Sequence, residues 1–208
     1  MIYCNSVSEG IIKIPSLSIP EGFTAVVGNN GCGKTTLLEL IAGIRVPGQG
    51  SIVIDGVSPR SLDVGWMDET PDDNILFFSV FDEIASPLVF KNVPCEEIRL
   101  KVLSIAGKLS LQHLLNRDTS TLSGGEKVLV AIAAILVTGP DLVVLDEFDS
   151  SLDKETVLNV VEVLVYKRPK YLIICTHSKE LAKKADFVIQ IEGGLLKRYG
   201  TPEEVLEI

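Results

Sequence analysis

An α/β fold, with a mostly parallel central sheet and helices on both faces, is what the sequence predicts from three observations. Leu142-Val143-Val144-Leu145 and Tyr171-Leu172-Ile173-Ile174-Cys175 are unbroken apolar runs; a strand with one wet face would alternate, so these are strands covered on both sides. Phe23-Thr24-Ala25-Val26-Val27 is a short β-branched run that enters a glycine-rich turn, and Thr35 to Ile44 follow as helix formers. Strand, loop and helix in alternation build a parallel sheet with helical crossovers.

The other elements follow in order. Pro47-Gly48-Gln49-Gly50 punctuates the exit from the first helix, and Ser51-Ile52-Val53-Ile54-Asp55-Gly56 reads as a strand closed by a turn. From about Pro71 to Thr121 the pattern becomes helical and mixed, with apolar residues at roughly helical spacing between Cys95 and Leu115. This predicts one domain over residues 1–208, with a core of about 1–70 and 138–208 and a helical lobe over about 71–137. A chain of 208 residues with 46% hydrophobic content can bury one sizeable core, whereas two full domains are a tight fit.

Composition narrows the function. Twenty-eight acidic against nineteen basic side chains give a net charge of −9 and a pI near 4.8, which offers no general attraction to a phosphate backbone; no nucleic-acid partner is expected. Cys4, Cys32, Cys95 and Cys175 show no CxxC spacing, as expected of free thiols in a reducing compartment, each read as a small buried apolar residue. Met1 to Ser6 has neither the basic nor the apolar region of a signal peptide, and none is expected. The longest wholly apolar run, Val128 to Val137, is about half of what a bilayer-spanning helix needs. A mean hydropathy of +0.33 is high for so acidic a chain and fits a surface partly covered by partner subunits.

The chemistry begins at Gly28-Asn29-Asn30-Gly31-Cys32-Gly33-Lys34-Thr35, followed by Thr36, which satisfies GxxxxGK[ST] between a predicted strand and a predicted helix. Glycines there let backbone N–H groups turn inward around phosphate oxygens, and the helix start adds its positive dipole end. Lys34 is expected to reach the β and γ phosphates of ATP, and the Thr35 hydroxyl to ligate Mg2+. A second site lies at Asp146-Glu147, two carboxylates at the C-terminal end of an apolar strand, where open α/β sheets bind ligands. Asp146 is expected to hold the Mg2+ shell and Glu147 to polarise the attacking water.

Between them lies Leu122-Ser123-Gly124-Gly125-Glu126, and here the chain resembles the ATP-binding-cassette (ABC) family, whose LSGGQ signature it matches at four of five positions. The resemblance covers nearly the whole chain, including Ser151-Leu152-Asp153 where the family has its D-loop and Thr176-His177 where it has its switch histidine. It implies a P-loop NTPase fold of ABC type with an added antiparallel β subdomain. It further implies that Ser123, Gly124 and Gly125 act on ATP held by a second cassette subunit, in a homo- or heterodimer, and that His177 senses the γ-phosphate alongside the catalytic Lys34 and Glu147. The stretch Val64-Gly65-Trp66-Met67-Asp68-Glu69-Thr70-Pro71-Asp72-Asp73-Asn74 is similar to that of energy-coupling-factor and cobalt or nickel importer ATPases. That implies a transmembrane permease partner, a cytoplasmic position on the inner face of the cell membrane, and a vitamin or metal-ion cargo.

Departures from the pattern bear on turnover. Glu69 stands where the family has a glutamine near Mg2+; its carboxylate is still expected to ligate the metal while adding negative charge beside the γ-phosphate. At the adenine-stacking position the alignment offers Glu9, with Tyr3 the nearest tyrosine upstream. Val128 and Leu129 replace a usual Gln-Arg pair and are expected to be buried. Asp68, Glu69, Asp72 and Asp73 form an acidic run, ordinarily a solvated surface; the resemblance implies that it lies under the membrane subunit, with Asp72 or Asp73 pairing with an arginine of the permease's coupling helix. Two other readings compete: a regulatory subunit that binds ATP and hardly hydrolyses it, separable by the chain's own ATPase rate, and a non-transport cassette ATPase, which would bring coiled-coil insertions or tandem cassettes that this chain lacks.

Overall fold

The computed structural model describes residues 1–206, the side chain of Pro71 excepted, so the last two residues of the expected 1–208 domain lie outside the described residues. In chain order the elements begin β1 (Ile2–Glu9), β2 (Ile12–Ile19), β3 (Gly22–Gly28), α1 (Lys34–Ile41), β4 (Gln49–Ile54), β5 (Val64–Met67), α2 (Val80–Phe90) and α3 (Cys95–Lys108). They continue α4 (Gly124–Leu136), β6 (Leu142–Asp146), α5 (Lys154–Lys167), β7 (Tyr171–Cys175), α6 (Lys179–Ala182), β8 (Phe187–Glu192), β9 (Leu195–Gly200) and α7 (Pro202–Val205). These divide between two compact units. The first comprises Met1–Val64, Asp141–Glu147 and the residues from Lys170 on; the second comprises Gly65–Pro140 and Phe148–Pro169.

The first unit is built on a mixed sheet whose strands run in the order β4-β1-β2-β9-β8-β3-β7-β6. β8, β3, β7 and β6 are parallel neighbours, while β1 pairs antiparallel with both β2 and β4. The apolar runs explain the parallel half: every residue of β6 and β7 is buried, as covering on both faces demands. Leu37, Leu38, Leu40 and Ile41 of α1 are each at most 1% exposed, and α1 packs on β3, β6 and β7. Each such side chain contributes roughly 1.5–3 kcal/mol of transfer free energy. This anchoring matters because α1 carries the residues of the P-loop.

The second unit holds helices α2 to α5, with α4 packed against α2, α3 and α5. Val80, Ile84 and Leu88 of α2, and Ile98, Val102 and Ile105 of α3, are buried at helical spacing. Pro87 lies inside α2 and cannot donate to the Glu83 carbonyl; the Ser86 hydroxyl donates to that oxygen instead, at 3.0 Å.

Several boundaries differ from the expectations, each for a local reason. The helix expected up to Leu115 ends at Lys108, where Ser110 adopts a left-handed φ of 58° and Gln112–Leu114 form a 3-10 turn. The division expected at residue 71 falls at 65, and Phe148–Pro169, expected in the core, belongs with the helical unit because α5 packs on α4. Among the described residues no helix is long and apolar enough to cross a membrane.

Candidate active site

Three neighbouring parallel strands deliver the functional loops. In register, Val26 of β3 stands beside Cys175 of β7, and Cys175 beside Asp146 of β6. The P-loop leaves β3, Thr176-His177 leave β7, and Glu147 leaves β6, so all three emerge at the C-terminal ends of adjacent strands. Gly28 is required at the first exit: a Cβ there would sit 2.3 Å from the Ile191 carbonyl oxygen of β8. Gly33 then takes a left-handed φ of 102° as the N-cap of α1, a conformation L side chains rarely adopt. The loop is pinned from outside by the Gly194 amide, which donates to the Cys32 carbonyl at 3.0 Å.

Within this frame the side chains converge. The Thr35 hydroxyl donates to Asp146 Oδ2 at 2.6 Å. Lys34 is only 5% exposed; its Nζ donates to the Asn29 carbonyl at 3.3 Å and lies 3.4 Å from Glu147 Oε1. Glu147 has a left-handed φ of 47°, unusual for a residue other than glycine, and its amide donates to the Cys175 carbonyl at 3.1 Å. That turn aims its carboxylate toward His177, whose Nε2 is 2.9 Å from Glu147 Oε1. The Lys34 ammonium approaches the same Nε2 at 3.5 Å, so lysine, glutamate and histidine meet at one point. The next residue, Ser178, caps α6, its hydroxyl accepting from the Leu181 amide at 3.2 Å. The arrangement is therefore a buried cation, a proton-accepting carboxylate and an imidazole arranged around one opening, with backbone N–H groups of the first turn of α1 left for an anion.

Sequence reasoning missed Cys175 as part of this place, having read it only as a buried apolar residue. Its Sγ lies 3.9 Å from Glu147 Oε1. Burial, with the Asp146 and Glu147 carboxylates beside it, pushes the thiol well above its ordinary range, so it is a neutral S–H. The available signal was its position as the last residue of an apolar strand, one residue before Thr176-His177.

Ser123, Gly124, Gly125 and Glu69 belong to the second unit. Ser123 is the N-cap of α4, and Glu126 completes a capping box: its carboxylate accepts from the Ser123 amide at 2.7 Å while the Ser123 hydroxyl accepts from the Glu126 amide at 3.3 Å. The glutamate that departs from the signature thus secures the loop that displays it. A Cβ on Gly125 would press to 3.3 Å on both Leu152 and the Ser151 carbonyl, so glycine keeps this helix start close to the segment before α5. Asp153 caps α5, accepting from the Thr156 amide at 2.9 Å. Val128 is buried and Leu129 half-buried, and Glu69 is exposed. Asp72 departs from the expectation of an acidic run open to a partner, because it pairs with Lys127 of α4.

The capping box makes a stability prediction. The Ser123 amide holds the Glu126 carboxyl below its ordinary value of 4.5. A lowered folded pKa stabilises above the unfolded value, and that stabilisation is lost as pH falls through the folded one. Glu126→Ala is therefore expected to cost roughly 0.3–1.5 kcal/mol at neutral pH, a Tm loss of about 1–6 °C. Thermal melts in a pH series should show Glu126→Gln less stable than the native chain at pH 7 and the gap closing below about pH 4.5.

Residues 12–150 match the family model for the ABC transporter. The energy-coupling factor transporter ATP-binding protein EcfA1 of Mycoplasma mobile is 36% identical over 203 residues, covering 92% of this chain and 74% of that protein. The protein of the same name from Bacillus subtilis is 34% identical over 204 residues, covering 93% and 73%. The structure of cbiO1 from Clostridium perfringens, part of the ABC transporter complex cbiONQ, superposes with a TM-score of 0.87 at 27% identity, covering 99% of this chain and 90% of that one.

Proposed function

This chain belongs to the ABC transporter family, and from that premise we propose that it is the ATP-hydrolysing subunit of an importer of the energy-coupling-factor type. The observation that carries the proposal is the convergence of Lys34, Thr35, Asp146, Glu147 and His177 around one opening. The kinship to EcfA1 proteins supports the importer type. Cargo is a small molecule or ion selected by the membrane partner, not by these residues.

ATP enters as an anion that the resting site is built to receive. At rest the Lys34 ammonium contacts the Asn29 carbonyl, Glu147 and, at 3.5 Å, His177 Nε2, and phosphate oxygens would replace these partners with more highly charged ones. As Lys34 turns to phosphate, Glu147 is freed to accept a proton from water, and His177, whose Nε2 lies 2.9 Å from Glu147 Oε1 at rest, keeps the carboxylate aimed. Thr35 and Asp146 offer two hard oxygen donors already in contact at 2.6 Å, which is the donor chemistry Mg2+ takes, and they would hold it. When bound with ATP, the cation neutralises charge on the phosphates. Glu69 is a further candidate oxygen ligand. Ser123, Gly124 and Gly125, at the capped start of α4, are proposed to receive the phosphates of ATP bound to a second cassette subunit.

The second unit carries a surface suited to a permease. Leu76 and Phe78 are 81% and 82% exposed, and Phe90 is exposed beside them. A cavity of about 170 Å3 lies nearby, lined by Phe77, Asp82, Ala85, Ser86, Val89 and Phe90. The loop is fixed rather than loose: the buried Glu83 carboxylate accepts from the Leu76 and Phe77 amides at 2.8 and 2.7 Å, and the Thr119 hydroxyl donates to the Phe77 carbonyl at 2.7 Å. Apolar side chains displayed on a braced loop are a partner surface. Leu76→Ser combined with Phe78→Ser is expected to abolish co-purification with the membrane partner and substrate uptake, while the isolated chain keeps its ATPase within about threefold, well under the loss of a catalytic group. Full uptake by the double variant would remove this surface from the transporter interface.

A further inference from the structure

Mg2+ and ATP use oxygen donors, and Cys175 has no part in that chemistry. Yet its Sγ and one oxygen each of Asp146 and Glu147 lie within 4.8 Å of one another. Asp146 and Cys175 are buried and Glu147 is partly so. Sulfur and carboxylate oxygen are both donors that Zn2+ takes, and three protein ligands with water in the fourth position is a coordination it adopts. A thiol ligand selects against Mg2+ and toward softer divalent cations. The partly exposed Glu147 gives such a cation a way in from solvent.

We propose that Cys175, Asp146 and Glu147 form a site for a thiophilic divalent cation of the Zn2+ class, with water in the fourth position, and that its occupation inhibits ATP turnover. The inhibition rests on the hydrolytic role given to Glu147 above; the binding itself does not. On binding, the Cys175 S–H bond breaks, its proton passes to solvent, and a sulfur–metal bond forms with no change of oxidation state. The cation then holds both carboxylates, so Asp146 is withdrawn from Thr35 and Glu147 from the water it would activate. Exclusion of the nucleotide-bound arrangement makes the site one of the resting chain, in which Lys34 and the carboxylates have no phosphate to share.

Co2+ tests binding directly, because a thiolate on tetrahedral Co2+ gives a sulfur-to-metal charge-transfer band and intense visible absorption. The full chain in chelator-free buffer is expected to take up one Co2+ with this spectrum and to lose it on addition of Zn2+. Cys175→Ser and Cys175→Ala should abolish the charge-transfer band and raise the Zn2+ concentration for half-inhibition of ATPase by more than the roughly tenfold that loss of a supporting hydrogen bond around a metal costs. Glu147→Gln, which leaves the thiol intact, should keep the band but weaken Co2+ binding, and covers the case in which the buried Cys175 variants do not fold. Cys95→Ser should change nothing, since that thiol is exposed and remote in sequence. A band that follows Cys95, or survives in Cys175→Ala, overturns the site, as does Zn2+ inhibition of equal potency in both chains. A chain that shows the Co2+ band yet hydrolyses ATP undiminished would overturn the inhibition and count against the hydrolytic role of Glu147, while leaving the metal site standing.

Discussion

Glu147→Gln is expected to bind ATP as well as the native chain does and to hydrolyse it at least about 10²-fold more slowly, the usual scale for loss of a general base. The amide is nearly isosteric, so the left-handed turn at φ 47° and the contact with His177 can persist. What disappears is the capacity to take a proton from water. Removing the negative charge also removes the resting ion pair to Lys34, 3.4 Å away, so the competitor for that ammonium is gone and ATP affinity should hold or rise. Single-turnover phosphate release with equilibrium nucleotide binding separates the two effects: a fall in rate with unchanged binding identifies a group acting in the transition state. An unchanged rate would take Glu147 out of the chemistry.

Lys34→Ala is expected to fail one step earlier, at binding. Lys34 is the buried cation nearest the opening, and its ammonium at 5% exposure is poorly screened by water, so phosphate charge gains more from it than from a surface lysine. Truncation leaves Glu147 facing the incoming phosphates with no intervening positive charge, turning an attraction into a repulsion. Loss of one hydrogen-bonded charge from such a site costs about 2–5 kcal/mol, or roughly 30-fold to several thousand-fold in Kd. Calorimetric titration with ATP measures it. Binding within threefold of native would show that the loop amides, not Lys34, hold the nucleotide.

Much of this site was legible because each of its parts follows a run whose physics is unambiguous. Leu142 to Leu145 and Tyr171 to Cys175 could only be covered strands, so Asp146, Glu147 and His177 had to emerge at one edge of the sheet. Glycines at 28 and 33 could be assigned a turn without coordinates, although only the structure reveals that Gly28 is dictated by the Ile191 carbonyl of a strand more than 160 residues away in sequence. The β1–β2 hairpin was less legible from pattern: Ile2, Cys4 and Val7 are buried, but a left-handed Ser6 breaks the strict alternation a strand normally shows.

Pairings between distant segments stayed hidden because charge alone does not choose a partner. Asp72 and Asp73 look equivalent in sequence, yet Asp72 is taken by Lys127 of α4, 55 residues on. Glu126 read as a departure from a signature, and its capping role follows from where α4 begins, a boundary that patterns fix only to within a residue or two. Cys175 was invisible as a site residue for the same reason: burial in a strand is the ordinary fate of cysteine, and the sequence does not say that the strand beside it ends in two carboxylates.

In the function proposed above, this chain works as one of two cassettes, each ATP being closed over by Ser123, Gly124 and Gly125 of the other. Light-scattering mass of the Glu147→Gln chain, with and without ATP and Mg2+, tests this most directly. The prediction is a monomeric or weakly associating chain without nucleotide and a stable dimer with ATP, returned to monomer by ADP or by Ser123→Arg, whose bulk would occupy the shared phosphate position. The same mass in every condition, together with normal hydrolysis by Ser123→Arg in the otherwise native chain, would contradict it.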